Sequence, residues 1–125
     1  MGMNDDDKST LLLDQKICDL IEYSLIIFRN FPKSERFSLV ADIKDMEYTL
    51  LSLCIAAEKK YTKKTTLQEM DITVAKLRRF IRMSYNLQFI SIHTYEVWSG
   101  KVVEIGKMLG GWIKTVNDQP HQHRG

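Results

Sequence analysis

Proline is nearly absent from this 125-residue chain: Pro32 and Pro120 are the only two, and both fall outside the stretches with helical periodicity. A proline within a helix removes a hydrogen bond and clashes with the preceding turn, so this placement leaves most of the chain free to be helical. Cysteine is equally sparse. Cys18 and Cys54 sit in apolar helical surroundings, where a small buried thiol, kept reduced, is the usual reading rather than a disulfide. No apolar run approaches the roughly 18 residues needed to span a bilayer. The longest, residues 50–57, is bracketed by Lys44, Asp45, Lys59 and Lys60. The first eight residues are acidic and lack a signal peptide's basic start and apolar middle, so no membrane association and a cytoplasmic location are expected by default.

Chemistry is also scarce. His93 falls in the first turn of a helical stretch, and His121 and His123 lie in a polar tail with Arg124. No His, Cys, Asp and Glu grouping has zinc-ligand spacing, and no Glu-x-x-His pair marks a metal site of the bundle type. There is no glycine loop for phosphate and no nucleophile elbow. The expected buried faces carry almost no ionisable groups, which leaves no place to shift a pKa for acid–base work. The expectation is a protein without catalytic residues, metal or cofactor.

What the chain does have is helical period. Leu13, Ile17, Leu20, Ser24 and Ile27 step at three or four residues over 10–29, widened by Leu12, Ile21, Leu25 and Phe28. Pro32 ends this helix. A second helix is expected from Ser38, as N-cap, to about Lys60, burying Leu39, Ile43, Met46, Leu50, Leu53 and Ala57. Thr66-Leu67-Gln68-Glu69 has the capping-box form and opens a third, with Met70, Val74, Leu77, Ile81, Ser84 and Gln88 on its apolar side. Ser91 can cap a fourth, over 92–116, whose stripe is Tyr95, Trp98, Val102, Ile105, Leu109 and Trp112. Short links make neighbours antiparallel, which gives an all-α, up-down-up-down four-helix bundle over residues 10–116. Residues 1–9 read as an acidic disordered leader and 117–125 as a disordered polar tail.

Net charge is only +2, unevenly distributed. Residues 1–35 hold four Lys/Arg against seven Asp/Glu, whereas 65–90 hold four against two. The basic residues gather as Lys59, Lys60, Lys63 and Lys64 at one link, and as Lys76, Arg78, Arg79 and Arg82 on the third helix. At 100° per residue the three arginines share about 100° of helix surface, opposite the apolar side. Such charges are often a merely solvated face. The arginine fork, however, suits phosphate oxygens, and no carboxylate lies three or four residues from Arg79 or Arg82. Gly106, Gly110 and Gly111 crowd the last helix, where each costs about 1 kcal/mol relative to alanine. Gly106 and Gly110 lie one turn apart. They either let another backbone approach or mark a fraying end.

The stretch Glu104-Ile105-Gly106-Lys107-Met108-Leu109-Gly110-Gly111-Trp112-Ile113-Lys114 resembles the C-terminal signature of the accessory variability determinant (Avd) proteins of diversity-generating retroelements. Phe31-Pro32-Lys33-Ser34-Glu35-Arg36-Phe37, Lys76-Leu77-Arg78-Arg79-Phe80-Ile81-Arg82 and Ser91-Ile92-His93-Thr94-Tyr95-Glu96 fit the same family in the same order. The resemblance covers about residues 12–115. It implies a bundle like that of the ribosomal-RNA intervening-sequence proteins, assembled as a homopentameric barrel with a basic surface. It further implies binding to RNA, possible binding to DNA, and binding to the retroelement's reverse transcriptase, in support of mutagenic cDNA synthesis from template RNA. On that reading Lys59, Lys60, Lys63, Lys64, Lys76, Arg78, Arg79 and Arg82 contact nucleic acid or polymerase, and Gly106, Gly110 and Trp112 lie at the oligomer interface. The rival is an oligomeric bundle interaction protein with no reverse transcriptase partner.

Overall fold

The computed structural model describes residues 5–118 and consists of four helices: α1 (Asp5–Ile27), α2 (Leu39–Lys59), α3 (Lys64–Asn86) and α4 (Ile92–Asn117). Two 3-10 turns, Phe28–Asn30 and Lys33–Glu35, lie between α1 and α2. No strand occurs among the described residues. Each helix packs on its neighbours in sequence, and α4 closes the ring against α1. Cross-contacts give the directions. Ser24 meets Glu47 while Asp14 meets Glu58, so α1 and α2 run antiparallel. Lys16 pairs with Glu104 while Ser24 meets Trp98, which makes α1 and α4 antiparallel. Gly106 faces Val74 while Tyr85 stacks on Tyr95, and so α3 and α4 are antiparallel. The expected up-down-up-down bundle is the observed one.

The stripes of α1, α3 and α4 largely match their periodicity. Leu13, Ile17, Leu20, Ile27, Met70, Leu77, Ile81, Trp98, Val102, Ile105 and Leu109 are all buried. Four local expectations are corrected. On α1, Leu12 and Leu25 are exposed rather than widening the core. On α2 the fully buried line is Val40, Ile43, Glu47, Leu50, Cys54 and Ala57, while Leu39, Met46 and Leu53 are only partly covered. The stripe is rotated because a carboxyl and a thiol occupy core positions. Ser38 is the N-cap residue of α2, but its hydroxyl donates to Glu35 Oε1 (2.7 Å) and does not cap; Glu35 Oε1 itself accepts from the Leu39 N–H (3.4 Å). The capping box at Thr66 does not form, because α3 already begins at Lys64 and Thr66 is buried within its first turn.

Both ends of α1 and α3 differ from expectation for identifiable reasons. Helix α1 begins at Asp5, so residues 5–9 are helical rather than part of a disordered leader. Residues 1–4 and 119–125, which hold the rest of the expected leader and nearly all of the tail, lie outside the described residues. Gln88 is not on the apolar side of α3. It sits past the helix end with φ 65°, while its N–H donates to Tyr85 O (2.9 Å) and the Phe89 N–H to Ser84 O (3.0 Å). This is the Schellman arrangement, in which a left-handed residue lets the chain turn back and satisfies the last carbonyls. At the next helix Ser91 does cap, accepting from the Thr94 N–H at 3.1 Å.

One polar cluster lies in the core. Ser24 Oγ is 2.9 Å from Leu20 O, 2.5 Å from Glu47 Oε2 and 2.9 Å from Trp98 Nε1. The hydroxyl has one proton, and indole only donates. If Ser24 donates to Leu20 O, its oxygen must accept from Trp98 and from Glu47, which requires a protonated Glu47. Burial supports this: it lifts the Glu47 pKa from 4.5 to about 8, against the opposing hydrogen bonds of Ser24 and Trp98. Glu47 Oε1 has no hydrogen-bond partner among the described residues, another reason not to leave a charge there. Around the cluster, Phe28, Phe31, Phe89 and Trp98 pack edge to face or tilted, with ring centroids 5.3–6.3 Å apart. This pins the α1–α2 connection to the α3–α4 corner.

Linkage turns Glu47 into a measurable slope. Its folded pKa exceeds its unfolded one, so the stability it permits is fully present below about pH 4.5 and is lost as pH rises through about 8. Within that window the loss is about 1.4 kcal/mol per pH unit. Glu47→Gln carries no such slope. Denaturant unfolding from pH 5 to 9 should show the variant gaining steadily on the natural chain as pH rises. Parallel curves would mean that Glu47 does not titrate in this window.

Candidate nucleic-acid interface

Helix α3 separates its apolar and basic residues by rotation alone. Met70, Val74, Leu77 and Ile81 turn inward, and Lys76, Arg78, Arg79 and Arg82 are all exposed on the outside. Arg79 Nη1 donates to Ala75 O of its own helix at 3.3 Å. Among the described residues the one ion pair within 4.0 Å is Lys16–Glu104 (3.4 Å), so no carboxylate neutralises the three guanidinium groups. The expected arginine face therefore exists, with its forks open to solvent.

The lysines at the α2–α3 link do not act as one group. Lys63 is half-buried, and its Nζ donates to Ala57 O (2.5 Å) and Lys60 O (2.7 Å) while lying 6.0 Å from the Trp112 ring centroid. It caps the carbonyl end of α2, where a cation also meets the negative end of the helix dipole. Lys60 Nζ donates to Thr66 Oγ1 at 3.0 Å, tying the link to α3. Lys59 and Lys64 are exposed and make no hydrogen bond or ion pair among the described residues. Lys64 starts α3 on the same side as Arg78 and Arg82, about 27 Å along the axis from Arg82 at 1.5 Å per residue. Asp71 lies on that line between them and divides it into two basic ends.

One residue in this region is an addition to the expected set. Tyr61 is 98 % exposed, at the tip of the link and between Lys60 and Lys64. An exposed aromatic ring among cations is the composition on which unpaired bases stack. The run Lys59-Lys60-Tyr61-Thr62-Lys63-Lys64 carries that signal in the sequence, where attention to charge alone passes over it.

The glycines of α4 do not fray the helix, which continues through Gly106, Gly110 and Gly111 to Asn117. A Cβ on Gly106 would meet Val74 Cγ1 at 3.5 Å, an ordinary contact, and one on Gly110 or Gly111 would meet nothing within 4 Å. Packing within the bundle therefore requires none of them to be glycine. Trp112 is partly packed against the core and lies beneath Lys63.

The buried faces carry few ionisable groups, as expected, but Glu47 is sealed in the core and its pKa is shifted there, which the expectation did not allow. Asp14, Cys54 and Glu58, which no ligand spacing in the sequence marks, come together across α1 and α2. Cys18 and Cys54 are both free thiols. No helix among the described residues is long and apolar enough to cross a membrane.

A family model described as bAvd-like matches residues 11–116, nearly the whole of the described bundle. No curated protein matches the chain.

The two roles assigned to neighbouring lysines separate by mutation. Lys63→Ala removes a cap and should cost about 1 kcal/mol. Lys64→Ala should stay within about 0.5 kcal/mol of the natural chain. Thermal melts of the two variants side by side are sufficient, and equal melting temperatures would show that Lys63 is as free as Lys64.

Proposed function

The chain belongs to the bAvd-like family, and from that membership we propose that it is a non-catalytic accessory protein of a diversity-generating retroelement. It acts in the cytoplasm, binding RNA and the retroelement's reverse transcriptase to support mutagenic cDNA synthesis. The observation that carries the nucleic-acid part is the exposed, unneutralised face of Arg78, Arg79 and Arg82. Guanidinium forks engage phosphate oxygens without reading bases, so the binding is electrostatic and largely indifferent to sequence. Lys59, Lys60, Lys64 and Lys76 extend the cationic surface, and Tyr61 offers a stacking ring at its far end.

Replacing Arg78, Arg79 and Arg82 together by alanine tests this directly. Alanine favours helix and the three positions are exposed, so the melting temperature should barely move. RNA affinity should fall, and the slope of log K against log salt should become shallower by about 2–3, one released counterion per lost phosphate contact. Polymerase pull-down and cDNA yield on the same variant separate the partners. A folded triple variant with unchanged RNA binding and unchanged cDNA synthesis would remove the assignment. Loss of RNA binding in a host without any reverse transcriptase partner would instead favour a plain interaction protein.

The working form is proposed to be a homopentamer. Gly110 and Gly111 lie open on α4, and exposed Leu11, Leu12, Leu25 and Ile26 on α1 leave an apolar surface that a second copy can cover. Gly100 is equally open on the same helix and serves as the control. By light scattering, Gly110→Leu should break the assembly into smaller species and Gly100→Leu should not. A natural chain that runs as a monomer, or a Gly110→Leu variant that stays pentameric, would exclude Gly110 from an interface of that kind.

A further inference from the structure

We propose that Asp14, Cys18, Cys54 and Glu58 form a site for a zinc-like divalent ion that fastens α1 to α2. The site lies away from the arginine face and does not depend on the function proposed above. A carboxylate oxygen of Asp14, the Cys54 thiol sulfur and a carboxylate oxygen of Glu58 all lie within 4.8 Å of one another. Cys54 Sγ is 3.6 Å from Glu58 Oε2, and Cys18 Sγ is 3.7 Å from Asp14 Oδ1. A tetrahedral ion with Zn–S about 2.3 Å and Zn–O about 2.0 Å holds its sulfur and oxygen ligands roughly 3.5 Å apart. Both observed pairs are close to that separation without any ion present.

Helix geometry explains how Asp14, Cys54 and Glu58 converge, with Cys18 beside Asp14 to serve as the fourth ligand. Asp14 and Cys18 are one turn apart on α1, and Cys54 and Glu58 are one turn apart on α2. Residues four apart share a face. The two helices are antiparallel neighbours, so each pair faces the other. Cys54 is fully buried whereas Asp14, Cys18 and Glu58 are half-buried, giving a site with a sealed floor and an open mouth.

The ligand chemistry selects the ion. Two thiols with two carboxylates suit a borderline-soft cation and disfavour magnesium or calcium, which take oxygen ligands only. The metal-free cluster is electrostatically poor. Burial, then the charge of Glu58, pushes the Cys54 thiol up to about 12. Burial, then hydrogen bonding to Asp14 and its charge, raises Glu58, while the hydrogen bond from Cys54 and then the charge of Lys59 pull the other way. A divalent cation removes the conflict. On binding, the Cys18 and Cys54 thiols release their protons to solvent and, with the carboxylates of Asp14 and Glu58, close on the ion. No oxidation or reduction is involved, and affinity rises with pH because protons compete with the metal.

The experiment uses the full chain in a non-thiol reductant, with Co²⁺ as a spectroscopic probe and Zn²⁺ alone as competitor. One Co²⁺ per chain should bind with the intense visible bands of tetrahedral cobalt and a near-ultraviolet thiolate-to-metal transition, and Zn²⁺ should displace it. Saturating Zn²⁺ should raise the melting temperature, since it binds the folded state. Cys54→Ala tests the thiol, and Glu58→Gln, at a half-exposed position, tests the site without opening the core. Each should weaken Zn²⁺ binding at least tenfold. The proposal is overturned by a folded natural chain that shows no thiolate transition. It is equally overturned by Zn²⁺ binding that Glu58→Gln leaves unchanged, as binding through His121 and His123 would be.

Discussion

Three of the four helices meet at one hydroxyl. Ser24 of α1 receives the indole N–H of Trp98 from α4 and the carboxyl of Glu47 from α2, and passes its own proton to Leu20 O. Apolar packing tolerates a helix sliding or turning by a fraction of a residue, because many similar contacts replace those lost. A closed set of hydrogen bonds does not, since a shift leaves a buried donor or acceptor without a partner. The network therefore fixes the axial register of α1, α2 and α4, and with it the position of every surface residue on them. Neutral Glu47 is what makes it tolerable. A charged carboxylate with one bare oxygen in the core would cost more than the cluster returns.

Much of the fold was legible in the sequence because burial on α1, α3 and α4 follows the helical period of ordinary apolar residues. The misread element was α2. Its core line passes through Glu47 and Cys54, and a reading that treats carboxyls as outward-facing rotates the helix toward Leu39, Met46 and Leu53. Thr66 misled for a related reason. Threonine followed by glutamate three residues on is a start signal only where the chain has not already begun its helix, and here α3 has already started at Lys64, with Lys63 as its N-cap residue.

The surface divides the same way. Exposure of Arg78, Arg79 and Arg82 follows from their angular distance from Leu77 and Ile81, which the sequence contains in full. Lys63 could not be told from Lys64 by composition, since its partners are carbonyls at Ala57 and Lys60 and the ring of Trp112, brought there by folding. Asp14 and Cys54 are likewise too distant along the chain for any spacing rule. The low net charge is no measure of the basic face either. Seven of the sixteen acidic residues lie within residues 1–35, while α3 presents its arginines without a carboxylate within reach.

The contact between Trp98 and Ser24 joins residues 74 positions apart, whereas the turns between successive helices are short. Each adjacent pair of helices can zip from its own turn, a local event with little loop entropy to overcome. Only the closure of α4 onto α1 is long-range. As the chain leaves the ribosome, α1 through α3 must wait with the Ser24–Glu47 pair lacking its third member until Trp98 emerges. The hydrogen-bonded hub that holds the finished bundle in register is thus also the last part of it that can form, and the bundle becomes cooperative only when its final helix arrives.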